Sequence, residues 1–406
     1  MHAPISRSHA AKRTLPHSAM TVFSFLAAVL LAASSAAPTP LYPIYQQSLH
    51  LSPPMITLVF AVYAFSLLAA LLTVGSLSDH IGRKPVIVAS LLLNVGAMLL
   101  FARTNDLGHL LFARAVQGLS VGTGITVLGA AILDTNKRHG PLLNSVFIFL
   151  GLTLGALGSG LLVAFAPNPL HLVFEVLLAV TAILFVLLWA MPETTAGKAG
   201  AWASLWPHVA VPVQSRAAFL RLTPGNVAVW AFGAFYLALM PAIVATAMHA
   251  GSPLTAGVVV AALMATAAMT VAALRSLKPR FLVQMGTVAL SLGAAISLLG
   301  IEQEAVGALF AGTIIAGVGF GSSFSGTLQS LLPTALADQR AGLLAAFYVQ
   351  CYLAFSLPAI AAGLAIPRLG LPTTAYIYGG AVIVLALIST VASLFGGEET
   401  HARGAR

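Results

Sequence analysis

Apolar residues in this chain come in runs of about 20, separated by short stretches of proline, glycine and charge, and about 20 is the helical length that crosses a hydrocarbon core of roughly 30 Å. Inside such a core no water answers a backbone N–H or C=O, so each run must close its own hydrogen bonds as a helix. The punctuation marks twelve runs, at 20–42, 55–77, 85–102, 107–133, 141–165, 171–191, 223–248, 254–274, 281–300, 304–332, 341–366 and 372–396. Six precede the hydrophilic stretch Pro192 to Leu222 and six follow it. Only 7% of residues are charged and 59% are hydrophobic, against about a quarter charged in soluble domains, which excludes a water-soluble globule. The expected fold class is an all-α integral membrane protein of twelve transmembrane helices in two six-helix bundles.

The formal charge of +9 does not read as a nucleic-acid footprint, because the 19 Lys and Arg are scattered through loops between spans. With a cytoplasmic N-terminus, sixteen of them fall inside: Arg7, Lys12, Arg13, Arg83, Lys84, Lys137, Arg138, Lys198, Arg216, Arg221, Arg275, Lys278, Arg280, Arg340, Arg403 and Arg406. Arg103 and Arg368 fall outside, and Arg114 alone lies within a span. That asymmetry predicts two cytoplasmic termini in a cell membrane, as in a bacterial inner membrane. The expected organisation is a tail at 1–19, a first bundle at 20–191, a central cytoplasmic loop at 192–222, a second bundle at 223–396 and a tail at 397–406. Lys12 and Arg13 before an apolar stretch ending Ala-Ser-Ser-Ala-Ala resemble a signal peptide, but the stretch is longer than a signal core, so an uncleaved first span is expected. The single cysteine, Cys351, rules out an intrachain disulfide.

Between the second and third runs stands Gly75-Ser-Leu-Ser-Asp79-His-Ile-Gly82-Arg83-Lys84-Pro85-Val-Ile87. Gly75 allows a close helix approach, Gly82 a tight turn, and Pro85 suits a first helical turn. Asp79 can pair with a nearby arginine, so the loop is expected to form a conformational latch with Arg83, Lys84 and Asp134 at the end of the fourth span. The segment resembles the G-x-L-a-D-r-x-G-r-k-x-x-l signature of the major facilitator superfamily. The resemblance extends to the span count and the central loop, and it implies a 6+6 bundle that works by alternating access. The basic loop at Arg83 and Lys84 has a counterpart at Lys278 and Arg280, a weak internal repeat of the kind from which carriers are built.

In the fourth span, Arg114-Ala-Val-Gln117-Gly118 looks like the family's R-x-x-q-G signature. A guanidinium about two turns inside a span either faces a wet cavity or partner, or snorkels to the interface; Gln117 lies one turn along the same face. In the fifth span, Gly151, Gly155, Gly158 and Gly160 resemble a signature of drug:proton antiporters, with Ala156 in place of the proline and Ser159 in place of a glycine. They read as either small-residue packing or a gate.

Glu175 is the one acid inside a span, either a proton-titrating group or a cap on its helix's first turn. His80, His109, His139, His171 and His249 fall near span ends. Tyr42, Tyr63, Asn226, Trp230, Tyr236, Ser325, Gln329, Tyr348, Gln350 and Tyr352 are candidate lining residues for a mostly apolar substrate cavity. No catalytic cluster, metal set or cofactor motif is recognisable, so no enzyme is expected and a proton gradient is the expected energy source. The expected partners are a small-molecule substrate and the lipid bilayer, and the oligomeric state stays open, a monomer included. Three functions stay open: proton-coupled efflux of drug-like or metabolic organic compounds, uptake or facilitated passage of a small metabolite, anions included, and a non-transporting membrane sensor or scaffold.

Overall fold

A computed structural model describes residues 15–247 and 253–395. Most of the expected tails, with Arg7, Lys12, Arg13, Glu398, Glu399, Arg403 and Arg406, and also His249, lie outside the described residues. Among the described residues, twelve helices are long and apolar enough to cross a membrane: α1 His17–Ser48, α2 Pro53–Val74, α3 Arg83–Ala102, α4 Leu107–Thr135, α5 Gly140–Phe165, α6 Pro169–Leu188, α7 Val213–Thr246, α8 Leu254–Ala273, α9 Pro279–Glu302, α10 Val306–Thr334, α11 Arg340–Leu369 and α12 Leu371–Leu394. Successive helices run in opposite directions. One end of the bundle, here the basic end, therefore collects Arg83, Lys84, Lys137, Arg138, Arg216, Arg275, Lys278, Arg280 and Arg340, while Arg103 and Arg368 sit at the opposite end.

Helix α7 begins at Val213, where 223 was expected. Thr223-Pro224-Gly225 reads as a boundary, yet Pro224 lies inside the helix. Proline removes the hydrogen bond to the carbonyl four residues back, that of Leu220, a residue 69% exposed in the second turn of the α-helical part. Farther along, Phe235–Leu239 and Ile243–Ala247 wind as π-helix on either side of Pro241.

Packing follows a pseudo-twofold rule. In the first half α1 packs on α4, α5 and α6, α4 on α2 and α3, and α3 on α6. Adding six to each number gives the packing of the second half: α7 on α10, α11 and α12, α10 on α8 and α9, and α9 on α12. The halves meet along two seams related by the same operation, α5 with α8 and α2 with α11. Glycine sets the closeness of both near the opposite end. A Cβ on Gly160 would lie 3.1 Å from the Gly257 Cα, and a Cβ on Gly363 would collide with the Thr57 side chain. Gly151 and Gly155 press instead on α1, against Ala32 and Ala33. Gly158 departs from the expected packing or gate role: a Cβ there would meet nothing within 4 Å.

The segment between α6 and α7 is ordered along the basic end. Lys198 N donates to the His80 carbonyl at 2.9 Å and Ser76 Oγ to the Ser204 carbonyl at 3.0 Å, pinning it beside α2; Ala210 N donates to the Gly342 carbonyl at 3.2 Å, pinning it to the first turn of α11.

The seam geometry separates two neighbouring glycines. Gly160→Leu is expected to cost about 1–3 kcal/mol through overpacking against α8 and to lower the apparent Tm in detergent. Gly158→Leu is expected to stay within about 0.5 kcal/mol of the parent. Equal losses in the two variants would contradict the seam.

Candidate functional site

Prolines near the end of α1 prepare the central site. Pro38 has no N–H for the Ser34 carbonyl, and Pro40 and Pro43 follow it, so the α-helix stops at Ala36 and tightens into a 3₁₀ turn at Thr39–Leu41. Two buried side chains of α4 take up the exposed carbonyls: Gln117 Nε2 donates to Ser34 O at 2.8 Å and Arg114 Nη1 to Ser35 O at 3.2 Å. Arg114 also donates to Gln117 Oε1 at 2.6 Å and to the Tyr42 hydroxyl. Its guanidinium lies 5.2 Å from the Tyr63 ring centre, 5.3 Å from Tyr42 and 5.9 Å from Phe101, within cation–π range. Arg114 is 1% exposed and Gln117 is fully buried, so the arginine does not snorkel. Among the described residues no carboxylate pairs with it; its charge is met by a phenol, an amide, a carbonyl and ring faces. Its Nε has no partner.

Arg114 and Tyr63 border a cavity of about 70 Å³ between the two halves, room for roughly five waters. The rest of the wall is almost wholly aromatic and aliphatic. From the first half come Phe60 and Phe149; from the second come Trp230, Phe320, Phe324, Tyr352 and Phe355. The rings interlock across the boundary: Phe60 lies 4.7 Å from Phe355, and Phe149 meets Phe320 and Phe324 edge-on at 5.8 and 5.6 Å. Trp230 touches Tyr352, Phe324 and Phe355.

Several candidate lining residues lie elsewhere. Asn226 is buried between α7 and α11, donating to Gln350 Oε1 at 2.7 Å, while Gln350 donates to Thr223 Oγ1 at 2.7 Å. Tyr236 ties α7 to Ser297 of α9 and Thr313 of α10 at 3.0 and 2.7 Å. Gln329 donates to Ser325 on its own helix, and Tyr348 packs on Phe347, away from the cavity. These polar groups serve contacts within one half. Of the two readings of Glu175, the proton-titrating group loses its buried setting, because the residue lies on an exposed face of α6. The five phenylalanines of the cavity were not singled out, and their sequence signal is no different from that of Phe112 and Phe165, which are 59% and 77% exposed.

A second constellation sits at the basic end. Arg83, 7% exposed, donates through Nε to Asp134 Oδ2 at 2.9 Å and through Nη1 to Ser78 Oγ at 2.7 Å and to Asp79. The Glu193 carboxylate caps α3 from outside, accepting from Arg83 N at 2.8 Å and Lys84 N at 2.9 Å. Gly82 makes this possible with φ +98°, and a Cβ there would lie 2.9 Å from Glu193 Oε2. Lys84 Nζ closes the ring on the Met191 carbonyl at 2.7 Å. Gly75 follows the end of α2, where its Cβ would lie 3.8 Å from Thr126 of α4. All these partners belong to the first six helices and the start of the linker. Glu193 is thus a structural member of the cluster. At the opposite end Asp106 caps α4, and the His109 backbone N–H and ring hold its carboxyl below the ordinary carboxylate range.

The cluster predicts an ordering of variants. Asp134→Ala leaves a largely buried guanidinium short of a partner and is expected to cost about 1–3 kcal/mol, between the exposed and buried limits for ion pairs. Glu193→Ala removes a cap worth about 1 kcal/mol. Thermal unfolding in detergent checks both, and an unchanged Tm for Asp134→Ala would contradict the geometry.

The sequence profile of the Major Facilitator Superfamily matches residues 24–357. Multidrug resistance protein MdtL of Klebsiella pneumoniae (strain 342) is 32% identical over 104 residues, 25% of this chain and 26% of that protein. The MFS-type transporter R5 of a Phoma species is 30% identical over 150 residues, 36% of this chain and 28% of that protein. The matches therefore span only about a quarter of these curated relatives. Among solved structures, the human organic anion transporter MFSD10 superposes with TM-score 0.66 at 17% identity over 93% of this chain and all of that one. A variant of the nucleoside transporter NupG gives 0.69 at 13% identity over 92% and 99%. Those identities speak for a shared fold alone. With its twelve helices, its twofold packing and a profile match over most of its length, the chain belongs to the Major Facilitator Superfamily of membrane transporters.

Proposed function

We propose that this transporter exports small, largely apolar organic compounds by proton antiport across a cell membrane, that of a bacterial cell, with both termini in the cytoplasm. The observation that carries the reading is the ring-lined cavity between the halves, with Arg114 as its single charged wall group. Flat aromatic walls accept many ring-bearing molecules through stacking and burial and ask for few polar matches. The partial likeness to MdtL points the same way. At about 70 Å³ the cavity is too small for a drug-sized ligand, so cargo enters when the halves rock apart along the α5–α8 and α2–α11 seams.

A second reading, a carrier for small organic anions, is favoured by Arg114 itself. A buried guanidinium with no carboxylate partner among the described residues is short of a counter-group in an otherwise apolar wall, and a substrate carboxylate would supply one.

Everted membrane vesicles distinguish the two. Export by antiport predicts accumulation of neutral ring-bearing compounds driven by an imposed pH gradient and abolished by a protonophore. Accumulation of nothing but carboxylates, or flux indifferent to the gradient, would overturn it in favour of the second reading. Arg114→Ala is expected to weaken anion binding by about 10- to 100-fold, the value of a hydrogen bond to a charged group, and to change neutral binding by less than about threefold.

A further inference from the structure

Away from the cavity, an open apolar groove runs between the basic-end halves of α7 and α11. Phe219, Thr223 and Val227 form one wall, Ala346, Leu353 and Leu357 the other, and Val209 of the linker closes its foot. At 3.6 residues per turn, Ala346, Leu353 and Leu357 stand roughly 160–200° around α11 from Phe355, the residue that packs on α2 of the other half. The groove therefore opens away from the seam and the cavity. Leu353 and Leu357 are 37% and 53% exposed there. The span from Ala346 to Leu357 is about 16 Å of helix, close to one leaflet of a roughly 30 Å hydrocarbon core.

The mouth of the groove carries a different chemistry. Arg216 starts the α-helical part of α7 on the face that continues as Phe219, Thr223 and Val227. Its side chain is exposed, with Nε on the Val211 carbonyl at 3.5 Å. Residues 194–222 hold Lys198, Arg216 and Arg221 and no Asp or Glu. Glu193, just before them, is bound to the start of α3, and Asp338 beyond them makes no ion pair with Arg216. Between Lys198 and Ala210, both of which the linker uses to hold the bundle, Trp202 and Trp206 are 86% and 82% exposed. Exposed indoles beside cations, at the level where apolar helix faces end, match the headgroup layer of a bilayer.

We propose that the α7–α11 groove binds one acyl chain of an anionic phospholipid, whose phosphate sits at Arg216 and whose headgroup layer takes in Trp202 and Trp206. Native mass spectrometry of the full-length, detergent-purified protein tests this with equimolar dioleoyl phosphatidylglycerol and phosphatidylcholine. The expected result is a phosphatidylglycerol preference of about fivefold, the value of one cation near an anionic headgroup. Arg216→Gln is expected to remove the preference, Arg275→Gln at the same end to leave it unchanged, and Val349→Trp in the groove to lower retention of both lipids. Equal binding of the two lipids to the parent protein would overturn the proposal without need of any variant. So would an Arg275→Gln effect as large as that of Arg216→Gln, or displacement of the lipid by excess glycerol phosphate, which would assign the site to free phosphate.

Discussion

A hydrocarbon core supplies no hydrogen bonds, so each backbone group within it needs a partner from the chain itself. Helix meets that demand along most of the twelve spans, and where prolines end the α-helical part of α1 side chains answer instead. At the end of α1 the answer comes from α4, where Arg114 and Gln117 take the Ser34 and Ser35 carbonyls. One local defect thereby fixes the position of the buried charge, draws α1 and α4 together beside the boundary between the halves, and gives a nearly featureless apolar wall one polar point. The site follows from the break.

The same economy of contact governs the relation between the halves. Within each half, helices are tied by buried polar links such as Asn94 to Thr181, Tyr236 to Thr313 and Asn226 to Gln350. Across the cavity the contacts are ring on ring, as between Phe60 and Phe355 or Phe149 and Phe324. Hydrogen bonds are directional and resist sliding, whereas stacked rings and glycine seams tolerate it. Each half is thus a stiff body, and the boundary between them is a surface on which motion costs little.

The fold was legible because the bilayer imposes it: span length, punctuation and the scatter of charge carry the architecture without reference to tertiary contacts. Arg114 stood out for the related reason that a charge in an apolar run is rare. The cavity rings were not legible, since a phenylalanine in a span has the same local pattern whether it faces lipid, like Phe112, or a neighbouring helix, like Phe149. Polar residues misled in the other direction. Tyr236, Gln329 and Asn226 satisfy partners on their own half, a pairing that depends on which helices are neighbours. Glu175 was placed by depth along the helix, and depth says nothing about the face on which a side chain emerges.

The linker between α6 and α7 has a mechanical consequence. It is held to α2 by the Ser76–Ser204 bond and to α11 by the Ala210–Gly342 bond, and α2 and α11 are the two sides of one seam. Ala210 follows Ser204 by six steps along the chain, and six fully extended steps span at most about 20 Å. While both pins hold, the basic ends of α2 and α11 are tethered to within about that distance, so the strap sets a limit on how wide this face of the transporter can open.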